Sequence, residues 1–172
     1  MPTGNFRRVD LDLIFPAFLE KVLDAISACN DRGCVYIATR GYDTYGAQMA
    51  LWAQGRTKPG PIVTRAKGGE SAHNFGLAID FVRDIDIKPG VQPSWAKKDY
   101  AVLIEEIEKR GLHSGHKYAD VPHVSWPGYT TASDMQPLRD AWDISRSASA
   151  MDRAENRKAM WITVCQISTF SS

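Results

Sequence analysis

The sequence has little of the material from which several protein classes are built. Its three cysteines, Cys29, Cys34 and Cys165, are odd in number and lack the paired spacing of a zinc ribbon or a disulfide framework, so they are expected as reduced, buried thiols. No apolar run approaches the roughly 20 residues that cross a bilayer, which excludes an integral membrane span. Excess charge is missing too: 21 Lys and Arg against 20 Asp and Glu leave +1, with no broad electrostatic footprint for nucleic acid. The N-terminal region has no apolar stretch of signal-peptide length, because Leu11 to Phe18 is broken by Asp12 and Pro16, and the expectation is a chain made in the cytoplasm. Histidine is also rare, with four in 172 residues, so each one can be weighed.

What is present reads as one soluble domain with an appendage. Pro16 suits a first helical turn, and Leu19, Val22, Leu23 and Ile26 then recur at helical spacing up to a stop near Asn30 to Gly33. Cys34 to Thr39 is short, apolar and rich in strand formers. Thr44 can cap a helix through Gln54 with Leu51 and Trp52 inward. Residues 55 to 72 carry four glycines and two prolines, which predicts a loop. Ala78 to Val82 predicts a strand, Val91 to Trp95 a loop, Lys97 to Arg110 a helix stopped by Gly111, and Pro122 to Trp126 a last strand. From Ser145 the composition turns linker-like, and Met160, Trp161, Val164 and Ile167 then share one helical side. The expected division is therefore a domain over 1–144 and a helical extension over 145–172, docked on the domain or, with Arg153, Arg157 and Lys158 beside its apolar side, acting on a membrane surface.

Two stretches carry chemistry. In Ser71-Ala72-His73-Asn74-Phe75-Gly76-Leu77-Ala78-Ile79-Asp80-Phe81, the period of two puts Ala78 and Asp80 on one strand face, and Gly76 allows a turn that brings His73 over it. In Asp120-Val121-Pro122-His123-Val124-Ser125-Trp126, His123 and Ser125 share a face, so a neighbouring strand can supply a third ligand. Two histidines and a carboxylate suit Zn²⁺ and leave a fourth tetrahedral position for water. Asp120 is then placed to take a proton from that water. The other two histidines, His113 and His116, are candidates either to line the pocket or to be exposed loop residues, and His116 is the better candidate of the two for a substrate contact. Asp84 and Asp86 offer two carboxylates toward a Ca²⁺ site but lack the full ligand set of a calcium loop. Trp95 and Trp126 are core or rim aromatics, or platforms for a sugar.

The run Ser-x-His-x-x-Gly-x-Ala-x-Asp, followed about forty residues later by an acid-x-x-His, resembles the zinc peptidases that include the D-alanyl-D-alanine carboxypeptidases and dipeptidases and the L-alanyl-D-glutamate peptidases of phage endolysins. The likeness runs from Phe15 to Trp126. It implies an α+β fold of Hedgehog/DD-peptidase type: a small antiparallel sheet carries the zinc site and helices flank it. It also implies one Zn²⁺ per chain on His73, Asp80 and His123, with Asp120 as the catalytic acid/base and Ser71 beside the ligands. Gly41-Tyr42-Asp43-Thr44 with Gln48, and Leu51 through Arg56, look like the family's Gly-x-Arg-(Ser/Thr), Gln and Gln-Gly-Arg elements. The departure is Asp43, which stands where relatives carry an arginine that serves the substrate carboxylate or the oxyanion. Arg40, three residues earlier, is the first candidate to replace it, ahead of Arg56 and Arg65.

An aspartate as the acid/base is closest to the endolysin branch. The expected activity is an L-alanyl-D-glutamate endopeptidase acting as a monomer on peptidoglycan in the periplasm or cell wall, after holin-dependent release from the cytoplasm. The alternatives are removal of a terminal D-Ala and, from a different class, a zinc-containing cell-wall-binding module without catalysis.

Overall fold

The computed structural model describes residues 3–86, 90–143, 157–158 and 160–166. The chain divides into two compact units, one made of Met1–Asp43 and Ala72–Pro127, the other of Thr44–Ser71 and Gly128–Ser172.

The first unit is α+β. Helix α1 spans Pro16–Asp31, with proline in its first turn, and buries Phe18, Val22, Ala25, Ile26 and Cys29 along one stripe. Strand β1 (Val35–Arg40) follows, then β2 (Ala78–Asp84) and the two-residue β3 (Pro93–Ser94). Helix α3 (Ala101–Lys109) is preceded by a 3₁₀ turn at Lys97–Tyr100 and followed by β4 (His113–Ser114) and β5 (His123–Ser125). The sheet order is β1-β2-β5-β4 with β3 also on β2, and all pairings are antiparallel.

One face of β1 and β2 is packed with Tyr36, Ala38, Ile79 and Phe81, all fully buried, against the helical layer that contributes Phe18, Leu103 and Ile107. Full burial of a side chain such as Phe18 or Phe81 contributes roughly 1.5–3 kcal/mol. Tyr36 and Tyr100 meet with ring centroids 6.0 Å apart, and their hydroxyls donate to Asp99 O and Phe81 O. The opposite face, which carries Ala78 and Asp80, is the one left for chemistry.

The second unit holds α2 (Tyr45–Ala53), capped by the Thr44 hydroxyl, which accepts from Ala47 N at 3.1 Å. Its buried residue is Gln48, while Leu51 and Trp52, expected inward, are partly exposed. Hydrogen bonding decides this orientation: the Gln48 amide donates to Ala66 O at 2.8 Å and Thr64 Oγ1 at 3.3 Å, which anchors the irregular segment 55–69. Arg56 and Lys67 lie over the Trp52 ring at 4.7 and 5.4 Å. A further helix, α4 (Gln136–Asp143), has no counterpart among the expected elements. Residues 160–166 are helical, with Met160, Trp161 and Val164 buried; Ile167 and the linker-like residues from Ser145 lie outside the described residues.

Of the three thiols, none is bonded to another. Cys29 is buried, Cys34 is partly exposed and Cys165 is exposed, so the expectation of uniformly buried cysteines holds only for the first. Burial, with Glu106 nearby, pushes the Cys29 thiol up to about 12 and leaves it inert.

Candidate metal centre

His73, Asp80 and His123 converge although they come from three separate segments. His73 lies in a 3₁₀ turn at Ala72–Phe75, immediately before β2. The chain escapes that turn at Gly76, whose φ is +69° and where a Cβ would collide with the Leu13 carbonyl; only glycine fits. Asp80 is the third residue of β2, and its cross-strand partner is His123 at the start of β5. Partners directly opposite in a ladder share a face, so the imidazole and the carboxylate are brought together by register alone.

The contacts are short. Asp80 Oδ1 lies 2.9 Å from His123 Nδ1 and 3.3 Å from His73 Nε2, and the three donor atoms all lie within 4.8 Å of one another. The rings of His73 and His123 stand edge to face with centroids 5.2 Å apart. His73 is 1% exposed, and its Nδ1 donates to Gly41 O at 2.7 Å, which turns Nε2 toward Asp80. Nε2 is buried without a hydrogen-bond partner, since its 3.3 Å approach to Asp80 lacks hydrogen-bond alignment. An orphaned buried nitrogen costs about 1–3 kcal/mol. A cation held by these side chains would give that nitrogen a partner.

Burial alone would push the Asp80 carboxyl up, but the imidazoles of His73 and His123 outweigh it and hold the group well below the usual carboxylate range. The donor set is therefore an ionised oxygen and two imidazole nitrogens, which suits Zn²⁺. Among the described residues this is the one group of three His, Cys, Asp or Glu side chains able to hold an ion. Asp84 and Asp86, the candidates for Ca²⁺, do not belong to such a group, and Asp84 Oδ1 accepts from Gln92 N.

The turn leading into β5 is equally constrained. Asp120 N donates to Gly115 O at 3.0 Å, and His123 N donates to Asp120 O at 3.1 Å. A Cβ on Gly115 would collide with the Asp120 carbonyl and come within 2.9 Å of His123 Cβ. Ala119 adopts φ 62°, an unusual conformation for alanine that lets the turn close. Asp120 is exposed one turn from His123, and its carboxylate takes part in no hydrogen bond or ion pair among the described residues.

The remaining candidates separate. Arg40 reaches the trio, with Nη1 3.6 Å from Asp80 Oδ2. His116 is partly exposed and its Nδ1 lies 2.6 Å from Ser114 Oγ and 3.5 Å from Glu108 Oε1. Gln48 and Ser71 belong to the second unit, where Gln48 is committed to Thr64 and Ala66 and Ser71 is partly exposed. Trp95 is 58% exposed, whereas Trp126 stacks edge-on against Phe15 at 5.1 Å.

Gly41, His113 and Ser125 also contribute to this region. Gly41 supplies the carbonyl that fixes the His73 tautomer. His113 and Ser125 are cross-strand partners on the same sheet face as His123, and His113 Nδ1 and Ser125 Oγ are both buried without a hydrogen bond. The period of two already puts Ser125 with His123, but nothing in residues 113–114 announces a strand.

Comparison with known proteins identifies the family. Residues 14–116, more than half of the chain, match the family model described as VanY: D-alanyl-D-alanine carboxypeptidase; the match ends before Asp120 and His123. Peptidoglycan L-alanyl-D-glutamate endopeptidase CwlK of Bacillus subtilis (strain 168) is 34% identical over 127 residues, which cover 66% of this chain and 76% of CwlK. The crystal structure of the Serratia marcescens L-Ala D-Glu endopeptidase ChiX aligns at 20% identity with a TM-score of 0.43, over 72% of this chain and 84% of that one. By the extent of the family match and the level of identity to CwlK, the chain belongs to the VanY D-alanyl-D-alanine carboxypeptidase family.

Proposed function

We propose that the chain is a zinc metallopeptidase that cuts peptidoglycan stem peptides at the L-alanyl–D-glutamate bond. The observation that carries this reading is the buried, unpartnered Nε2 of His73, aimed at a carboxylate that His123 also meets. His73, Asp80 and His123 would hold the ion, which when bound supplies Lewis acidity toward a peptide carbonyl and lowers the pKa of water to about 7. The Asp120 carboxylate, uncommitted and exposed, accepts the proton from the attacking water and returns it to the leaving amine. Gly41 keeps His73 in the tautomer that ligation needs. No side chain has to form a covalent intermediate.

The choice of bond rests on the identity to CwlK, itself named for this cleavage. A terminal D-Ala is the second reading, favoured by the description of the matched family. One chain contains the whole donor set, so a monomer suffices. The aspartate at position 120 supports the lysin setting, in which the enzyme is made in the cytoplasm and reaches the wall through a holin lesion.

Mass spectrometry of products from purified muropeptides tests the reading. The expected products keep L-Ala on the muramic acid and carry a new D-Glu amine, and they vanish on chelation and return with Zn²⁺. Release of free D-Ala would move the cut to the second reading. Binding to peptidoglycan without hydrolysis would replace the enzyme by a non-catalytic wall-binding module.

A further inference from the structure

Arg40 ends β1 at a point where the ladder with β2 slips by one residue. Ile37 and Ala38 stand opposite Val82 and Phe81, but Arg40, not Thr39, stands opposite Asp80. In an unbroken ladder Thr39 would face Asp80 and Arg40 would fall on the other face of the sheet. The bulge re-aims the guanidinium onto the face shared by Asp80 and His123. There Nη1 lies 3.6 Å from Asp80 Oδ2, whereas the imidazole contacts of 2.9 and 3.3 Å are to Oδ1.

A second carboxylate holds the other edge of the fork. Arg40 Nε donates to Asp43 Oδ2 at 2.7 Å, and Nη2 lies 2.5 Å from the same oxygen. Asp43 is itself fastened to the turn that carries His73: its N–H donates to His73 O at 3.1 Å, and its carbonyl accepts from Asn74 Nδ2 at 3.0 Å. If Arg40 served only to neutralise Asp80, a competing carboxylate would weaken that role. With Asp43 taking one edge, Asp80 keeps its charge for a cation, and the planar guanidinium sets the direction of Nη1. The Arg40 side chain is 31% exposed.

We propose that Asp43 is a positioning residue that fixes Arg40 as the anion-binding group of this site, receiving the scissile carbonyl oxygen as it gains charge and the carboxylate it becomes in the product. The inference rests on the peptidase reading above. A donor already aimed at the place where charge develops costs no reorganisation during the reaction. The chain thus delivers a guanidinium from position 40 by means of a bulge and a carboxylate clamp.

The test compares wild type, Arg40→Ala, Arg40→Lys, Asp43→Asn and the double variant Arg40→Ala/Asp43→Arg. Each is measured for kcat and KM on a muropeptide, for zinc content, and in metal-free form for binding of N-acetyl-L-alanine, the acyl product analogue, by NMR titration. Arg40→Ala is expected to lose about 10²–10³ in kcat with zinc content unchanged, and to bind N-acetyl-L-alanine about tenfold more weakly. Arg40→Lys recovers little, because the charge remains but the fork is lost. Asp43→Asn loses about tenfold in kcat with little change in KM, and the double variant regains part of what Arg40→Ala lost. Wild-type kcat and analogue binding in Arg40→Ala would overturn the proposal, as would loss of activity only in step with loss of zinc. A zinc-loaded wild type that hydrolyses no muropeptide would instead remove the peptidase reading, and the metal-free titration would still decide whether Arg40 binds the carboxylate.

Discussion

Asp80 and Glu106 are both carboxylates surrounded by basic side chains, and the two clusters differ in what they leave over. Glu106, on α3, meets Arg32 at 2.7 Å, Arg110 at 2.8 Å and Lys109 at 3.1 Å. Hydrogen bonds from Arg110, Lys109 and Arg32 push its carboxyl down to about 2. Asp80 is also held far below the usual range, but against the cost of burial and by imidazoles. The partners of Glu106 are permanent cations that together complete the hydrogen bonding of its carboxylate. Asp80 also has Arg40 at 3.6 Å, but its two nearest partners are imidazoles, which can present either a proton or a lone pair, and His73 Nε2 is buried 3.3 Å from its Oδ1. A depressed carboxylate therefore does not mark a functional site by itself; the chemistry of its neighbours does.

The largest effects should separate the two clusters completely. His73→Ala, Asp80→Asn and His123→Ala should each take zinc content from one per chain to near none and muropeptide hydrolysis to the detection limit, whereas Glu106→Gln should change neither at pH 7. Zinc analysis and product chromatography on the four purified variants check this. Full zinc and activity in any of the three would dissolve the proposed ligand set.

Next in size is Asp120→Asn, expected to lower kcat by about 10²–10⁴ while retaining zinc. Because the Asp120 side chain is exposed, the melting temperature should not move. Loss of zinc in this variant would make Asp120 a structural neighbour of His123 and not the acid/base. Chelation ranks third: removing a ligand present at 100 times its Kd should cost about 2.7 kcal/mol of stability. Calorimetry with EDTA should shift the unfolding of wild type and leave that of Asp80→Asn unchanged; equal shifts would place the stabilising ion elsewhere.

Much of the site is legible in the sequence because periodicity and turn chemistry coincide there. Period two puts Asp80 beside Ala78 and His123 beside Ser125, and Gly76 marks the reversal that seats His73. Helix α1 is equally plain, from Pro16 and the spacing of its apolar residues. The features that stay hidden are set by tertiary pairing. A bulge at Thr39 is one residue of slip that only the partner strand defines, so the sequence names Arg40 as a candidate but does not aim it. β4 is two residues long, too short to show alternation, so nothing in the sequence puts His113 on the face of His123. Gln48 takes the inward position of α2 because hydrogen bonds to Thr64 and Ala66 outweigh the apolar character of Leu51 and Trp52. The 3₁₀ turn at Lys97–Tyr100 likewise replaces the first turn of one continuous helix.

The smallest effect sharpens the same comparison from the side of stability. The folded-state pKa of Glu106, about 2, lies below the ordinary value of 4.5. A depressed carboxylate stabilises the fold at pH values above its unfolded pKa, and that contribution disappears as pH falls from about 4.5 toward about 2. The melting temperature of Glu106→Gln should therefore fall below that of wild type at neutral pH, and the gap should close as the solution is acidified through that window. The effect stays modest because Arg32 is 40% and Lys109 56% exposed, so water and salt screen both pairs, and Arg110 keeps a second partner in Asp24 at 2.6 Å. Raising salt at neutral pH should shrink the same gap without altering zinc content. A gap that persists unchanged at the acid end would assign the loss to packing around α3 and not to the charge on Glu106, leaving Asp80 as the only carboxylate in this comparison whose ionisation matters.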